Sequence, residues 1–303
     1  MAKKILGCFP ALVTPMKEDG NRLNHAVDFG AFGQLIKHVI KGGCTGIVPS
    51  GCTGHAASLT QEEQVRLIAA AMECVPQKVP VIAGDGSNCT REAIELAKKI
   101  ENVGVKLHLQ ISPYQNKPTQ EGLFQHYAEI AKAIGGEIIV YNVPGRTGRN
   151  VEPETVARLA KEFSGIIGIK EASGNIEQIK KVIALTRDFD FDVVSGDDAL
   201  ALEIIKAGGT GCISVAANIE PKLTSQMISL ALKGKFAEAE KIDGKLRGLY
   251  RVLFIETNPS PAHYALRRIG IPVGVPRLPL VDVTQNSARQ IDAVLQQLGL
   301  VKK

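Results

Sequence analysis

"GIIGIKEASGN", residues 165–175, is an apolar run that ends in a lysine followed at once by a glutamate. Seven other short apolar runs share its character: residues 5–14, 44–51, 79–86, 105–112, 137–145, 191–198 and 210–218. Between them lie stretches such as "TQEEQVRLIAAAMECV" and "TREAIELAKKIENV", whose apolar residues recur at three- and four-residue intervals, the period of an amphipathic helix. Thr60 and Thr90 stand where helix N-caps are expected, each with a glutamate three or two residues on. Eight strand–helix units within about 220 residues favour a (β/α)8 TIM barrel, an α/β fold, over an open doubly wound sheet. After "SVAAN" the strand signal stops and four helical segments follow. The expected organisation is a catalytic barrel over residues 1–218 and a C-terminal helical extension over 219–303.

Composition narrows the function classes. The chain has 303 residues, 45% of them hydrophobic, enough for a large packed core. No apolar run reaches the roughly 18–20 residues of a membrane span. "MAKKILGCFPALVTP" faintly imitates a signal peptide, but Pro10 breaks it and no small-residue cleavage site follows, so it reads as a first strand. The net charge of +5 is spread among interleaved acids, and no basic cluster with aromatics suggests nucleic acid. The six cysteines (Cys8, Cys44, Cys52, Cys74, Cys89 and Cys212) lack metal-ligand spacing and read as reduced cytoplasmic thiols. His55 beside Cys52 admits a metal or Cys–His nucleophile reading, yet no third ligand or orienting group stands at motif spacing, so no metal is expected.

In a barrel the C-terminal ends of the strands face the active site. Five runs end in chemically active segments: "SGCTGH", "SPYQNKP", "YNVPGRTG", "KEASGN" and "SGDD". Taken alone, Lys170 reads as a lysine whose stem packs and whose amine reaches water. At a barrel mouth, burial lowers an amine's pKa, and the neutral form attacks a ketone to give a Schiff base. Lys106 competes, but six residues before a strand end place it roughly 20 Å below the mouth. "VKLHLQIS" alternates, putting Lys106, His108 and Gln110 on one face, expected to be the lumen. Tyr141 ends the neighbouring run, and its phenol suits proton transfer at the same carbon; a core-capping tyrosine is the ordinary alternative. Thr53 lies between Gly51 and Gly54, which allow backbone N–H groups to approach a carboxylate closely; a loop hydroxyl serving its own backbone is the plain reading. Arg146 offers a planar fork for a carboxylate, or a surface ion pair.

Together "GIKEASGN", "YNVPGRTG", "SPYQNKPTQEG", "VSGDDAL" and "GTGCISVAAN" resemble the dihydrodipicolinate synthases of the N-acetylneuraminate lyase-like class I pyruvate aldolase family. The likeness runs from the first strand to about residue 270. It implies that Lys170 forms the imine with pyruvate and that Tyr141 relays protons. It also implies that Thr53 and its backbone hold the pyruvate carboxylate, that Ile213 adds a backbone contact and that Gly196 lines the pocket. Arg146 is the residue that holds the carboxylate of aspartate semialdehyde in such enzymes, whereas sialic acid lyases usually lack it. The implied activity is synthesis of 4-hydroxy-tetrahydrodipicolinate, in lysine and diaminopimelate biosynthesis. It implies no metal or organic cofactor, and a cytoplasmic homotetramer built as a dimer of dimers.

The chain departs from the resemblance in two motifs. It has "GCTGH" where the synthases carry "GTTGE", and "PYQN" where they carry "PYYN". Cys52 and Gln115 thus stand at two proton-relay positions, the second reaching in from a neighbouring subunit, and neither is a hydroxyl. Asn88, Glu92 and Tyr114 match positions that bind the inhibitor lysine in regulated members, while Gln61 and Gln64 replace two histidines of that site. The departures leave open a pyruvate-dependent aldolase for another 2-keto acid aldol, and an inactive keto-acid-binding barrel.

Overall fold

The computed structural model describes residues 5–18, 20, 23 and 25–302; residues 1–4 and 303, the outer ends of the two expected domains, lie outside the described residues. The first half of the chain gives β1 (Gly7–Pro10), α1 (Phe29–Lys41), α2 (Gln61–Cys74), β2 (Ile82–Gly84), α3 (Thr90–Glu101), β3 (Leu107–Ile111) and α4 (Gln120–Ala133). Next come β4 (Glu137–Asn142), the single turn α5 (Pro144–Thr147), α6 (Pro153–Glu162), β5 (Ile166–Glu171), α7 (Ile176–Thr186), β6 (Asp192–Ser195), α8 (Ala201–Lys206) and β7 (Gly211–Ser214). Helices α9 (Pro221–Leu232), α10 (Phe236–Val252), α11 (Ser260–Arg268) and α12 (Gln285–Gln297) complete it. The strands form a seven-stranded parallel sheet in the order β1-β7-β6-β5-β4-β3-β2, ringed by helices in a TIM-barrel-like α/β fold.

The second apolar run, residues 44–51, was expected as a strand and is not one. Its middle makes two isolated parallel bridges, Val48 to Ala11 and Ile47 to Val81, so it touches both edge strands' continuations. Val48 N–H donates to Pro10 O at 2.9 Å, and Ile82 N–H donates to Ile47 O at 3.0 Å. Pro49 has no N–H and Ser50 sits at φ 58°, so a regular ladder stops after two residues.

Side-chain alternation sorts the sheet's two faces. Ile139, Tyr141, Ile167, Val194 and Ile213 pack inside the curl. Ile138, Val140, Ile166 and Ile169 face the helices. Fully burying each isoleucine contributes about 1.5–3 kcal/mol. One departure matters for the site. Ile138 pairs with Ile166, but Ile139 pairs with Gly168, so β5 carries an extra residue at Ile167. Ile167 points inward and Ile169 outward. Strict alternation would send Ile169 inward and Lys170 outward; the bulge reverses that phase and aims Lys170 into the lumen.

Two local expectations change. Thr60 does form a capping box, its Oγ1 accepting from Glu63 N–H while the Glu63 carboxylate accepts from Thr60 N–H. Thr90, however, is the first residue of α3 and caps nothing; the cap position is Cys89, and the Thr90 hydroxyl instead pairs with His126 Nδ1 at 2.9 Å. His108 and Gln110 face the helix layer, not the lumen, because Leu109 fills the inner face. There both bond the buried Asp85 carboxylate, His108 Nδ1 at 2.6 Å and Gln110 Nε2 at 2.7 Å. Helix α9 packs on α1 and β1, and one hydrophobic core joins β1 residues to α9, α10, α11 and α12. No helix among the described residues is long and apolar enough to cross a membrane.

Candidate active site

Lys170 and Tyr141 are register partners on β5 and β4, each one residue from its strand's C-terminal end. Both are 5% exposed. The Lys170 Nζ lies 4.1 Å from the centre of the Tyr141 ring, a cation–π contact when the amine is charged. Burial lowers the Lys170 pKa to about 8, assisted by the Arg146 charge and opposed by Asp198. Such an amine is about one-tenth neutral at pH 7, against well under one part in a thousand for an ordinary lysine. Burial also holds the Tyr141 phenol well above its usual pKa, so it stays protonated and available as a proton donor.

Cys52 packs against the lumen cluster that contains Tyr141, and its thiol pushes the phenol's pKa further up. Gln115 does not reach Tyr141 within the chain: it is exposed, in a left-handed turn at φ 70°. Gly196 is required by space. A Cβ there would lie 2.7 Å from Ala172 Cβ and 2.9 Å from Lys170 Cε, so any side chain would displace the lysine stem. Ile213 is buried in the lumen on β7. Beneath the mouth, buried Asp198 accepts from Val215 N–H at 2.9 Å, Ala216 N–H at 3.0 Å and the Ser214 hydroxyl, fixing the segment after β7.

Thr53 is buried in a turn closed by Gly54 N–H donating to Gly51 O at 2.9 Å. Its Oγ1 accepts from Asn258 Nδ2 at 2.9 Å, and the Asn258 carbonyl accepts from Arg146 Nη2 at 3.2 Å. Asn258 therefore joins the turn around Thr53 to the guanidinium that overhangs the mouth. Its own Oδ1 is buried and unpartnered. Sequence reading missed this residue, since the C-terminal segment read as an appended helical extension; a lone asparagine in "TNPSP" carries no other signal.

His55 does not pair with Cys52. Its ring bonds His263, Nε2 to Nε2 at 2.8 Å. Lys106 is exposed just before β3, at the opposite end of the strands from the mouth. Of the three inhibitor-site matches, Asn88 and Tyr114 meet, Asn88 Nδ2 donating to Tyr114 O at 3.2 Å, while Glu92 accepts from Ser87 Oγ at 3.0 Å. Gln64 donates to Ala56 O at 2.9 Å, and Gln61 accepts from Lys99 at 3.0 Å. Among the described residues, no group of three or more His, Cys, Asp or Glu side chains is arranged to hold a metal ion.

Comparison with known proteins gives a consistent result. Residues 4–298 match the Dihydrodipicolinate synthetase family. The 4-hydroxy-tetrahydrodipicolinate synthase of Methanocaldococcus jannaschii is 44% identical over 97% of this chain and 99% of its own. That of Archaeoglobus fulgidus is 45% identical over 97% and 99%. The chloride-inhibited dihydrodipicolinate synthase of Acinetobacter baumannii, solved with pyruvate, superposes with a TM-score of 0.94 at 38% identity, covering 98% of this chain and all of that one.

Proposed function

The chain belongs to the dihydrodipicolinate synthetase family, and from that premise we propose that it joins pyruvate to L-aspartate 4-semialdehyde to make 4-hydroxy-tetrahydrodipicolinate. The observation that carries this reading is the buried Lys170 amine, poised near neutrality against Tyr141 at the barrel mouth. The neutral amine adds to the C2 carbonyl of pyruvate; Tyr141 protonates the departing hydroxyl, water leaves and an iminium remains. That iminium accepts electrons as a C3 proton departs, giving an enamine. C3 then attacks the aldehyde carbon, whose oxygen takes up a proton. The amino group of the former semialdehyde closes onto C2 and expels Lys170 unchanged. No step draws on a metal or organic cofactor.

We assign the pyruvate carboxylate to Thr53 and the N–H groups of its turn other than those of Gly54 and His55, which already donate to Gly51 O and Cys52 O, with Ile213 and Gly196 as the pocket's walls. Arg146 is the residue for the aldehyde's carboxylate: it is exposed at the mouth, with one Nη on Asn258 and the rest of its fork free for an incoming anion. Arg146→Ala is expected to lower kcat/KM for the aldehyde about 30-fold, the effect of roughly 2 kcal/mol from a lost charged hydrogen bond, with pyruvate KM unchanged. Steady-state kinetics with each substrate varied checks this, and a selective loss of pyruvate binding would reverse the assignment.

Residues 45–49, bridging both sheet edges, support a complete eight-membered barrel. We place the division at 218/219 because the last strand ends at Ser214, and the helices beyond it pack into a core they share with β1 and α1. A homotetramer, a dimer of dimers, is the assembly we propose from the family; exposed Gln115 is free to meet a neighbouring chain, which takes at least a dimer. A cytoplasmic setting fits the six scattered free cysteines. Asn88, Glu92 and Tyr114 form a candidate site for lysine as inhibitor, lacking the two histidines that Gln61 and Gln64 replace. The purified protein given pyruvate and aspartate semialdehyde should consume both in equal amounts. Turnover with another aldehyde alone, or none at all, would favour the aldolase or inactive-barrel readings.

A further inference from the structure

The Thr53 turn is held from one direction by three side chains of residues 258–277. Asn258 bonds Thr53, His263 bonds His55, and buried Arg277 donates to Ser58 O at 2.7 Å and to both Glu63 oxygens at 2.9 Å. The outer two are ordinary amide and ion-pair contacts. The middle one is not, because two imidazoles hydrogen-bond only if one donates and the other accepts.

The partners settle which does which. His263 Nδ1 lies 3.0 Å from Gly274 O, and a carbonyl only accepts, so Nδ1 carries the proton. A neutral His263 then offers a lone pair at Nε2. His55 Nε2, 2.8 Å away, must donate, which leaves His55 Nδ1 as a lone pair; that atom is buried without a partner. His55 itself is in the left-handed region at φ 62°, 3% exposed, and its N–H donates to Cys52 O at 3.3 Å. Displacing the ring therefore moves the turn that carries Cys52 and Thr53.

We propose that His55 and His263 are positioning residues for pyruvate binding, a neutral imidazole pair that locks the carboxylate-receiving turn to α11. The inference rests on the pyruvate site assigned above. A first proton on the pair goes to His55 Nδ1 and keeps the bond; a second, on His263 Nε2, sets two N–H groups face to face and breaks it. Burial holds the His263 pKa down to about 4 and His55 well below its usual value. The charges facing the pair act the same way. Arg277 opposes a proton on His55 and Arg267 of α11 opposes one on His263, each already paired, with Glu63 and Asp282. The sign follows: both values are lowered, so the lock is intact at neutral pH, survives the first proton and fails as pH falls through about 4, where His263 takes the second.

The test is pyruvate KM against kcat, with borohydride trapping of the pyruvate imine as a separate readout. His55→Leu is expected to raise pyruvate KM about 5- to 10-fold with kcat within about two-fold, the scale of one lost hydrogen bond, and trapping should stay complete at saturating pyruvate. His55→Gln keeps a donor where Nε2 stood but cannot take a proton. Its KM at pH 7 should match wild type, and because its amide can turn to present Oε1 to a protonated His263 Nε2, the rise in KM on the acid side should move to lower pH. Unchanged pyruvate KM in His55→Leu overturns the inference. If that variant does not fold, an acid limb in His55→Gln identical to wild type overturns it equally. A wild-type protein that pyruvate and borohydride never label fails at the earlier step, the function itself.

Discussion

Lys170→Met is expected to abolish condensation, by about four to six orders of magnitude, and at the same time to make the protein more stable. The first half follows from the chemistry: of the two lysines that could compete, Lys106 is at the far end of the sheet and Lys117 is exposed. Peptide mapping after borohydride reduction with pyruvate should find label on Lys170 alone, and label on Lys106 or Lys117 would end the assignment. The second half follows from burial. The amine titrates at about 8 in the fold and at about 10.5 when unfolded, so the unfolded chain binds more protons between those values. Below pH 8 the folded state therefore carries the full cost of a buried ammonium, on the order of 3 kcal/mol before the Tyr141 ring and solvent access reduce it. Above about 10.5 the cost is gone. Methionine has similar length and no charge, so its gain in Tm over wild type should be largest at pH 7 and shrink as pH rises through that window. A variant less stable than wild type at pH 7 would show that Lys170 is not held against its solvation.

How much of this was legible in the chain depends on whether a feature is local. The helices after residue 219 emerge where the three- and four-residue periodicity puts them, and Thr60 caps α2 as its spacing to Glu63 requires. Lys170 was identifiable because a charge at the end of an isoleucine run is costly unless it is used. The direction in which it points was not. Period-two alternation from Ile167 sends it outward, and only the bulge against β4 turns it in, a property of two strands together. The same holds for His108, whose face follows from what Leu109 packs on, and for the 44–51 run, whose hydrophobicity is strand-like while Pro49 and Ser50 prevent a ladder. Asn258 and His263 lie more than 200 residues from their partners, and no spacing rule reaches that far.

The second large effect is expected at Tyr141. Tyr141→Phe keeps the ring against the Lys170 amine and removes only the hydroxyl, so pyruvate should still bind and the imine should still form slowly. Proton transfer to the departing hydroxyl then falls to water, and kcat should drop about 10²–10³-fold, within the usual range for general acid–base assistance. Cys52 bears on the same step from the other side. Its thiol lies in the lumen cluster with Tyr141 and pushes the phenol's pKa up, and a thiol hydrogen-bonds weakly where a hydroxyl would both give and take a proton. Cys52→Thr is therefore expected to raise kcat, and to do nothing once Tyr141 is phenylalanine, because the hydroxyl it serves is gone. Adding Gln115→Tyr separates two arrangements. Within its own chain residue 115 is exposed in a left-handed bend, so a further gain points to a neighbouring subunit's tyrosine entering the site. No gain beyond Cys52→Thr would confine the relay to one chain. A Tyr141→Phe protein within three-fold of wild type would remove the phenol from the chemistry and leave Lys170 working through solvent alone.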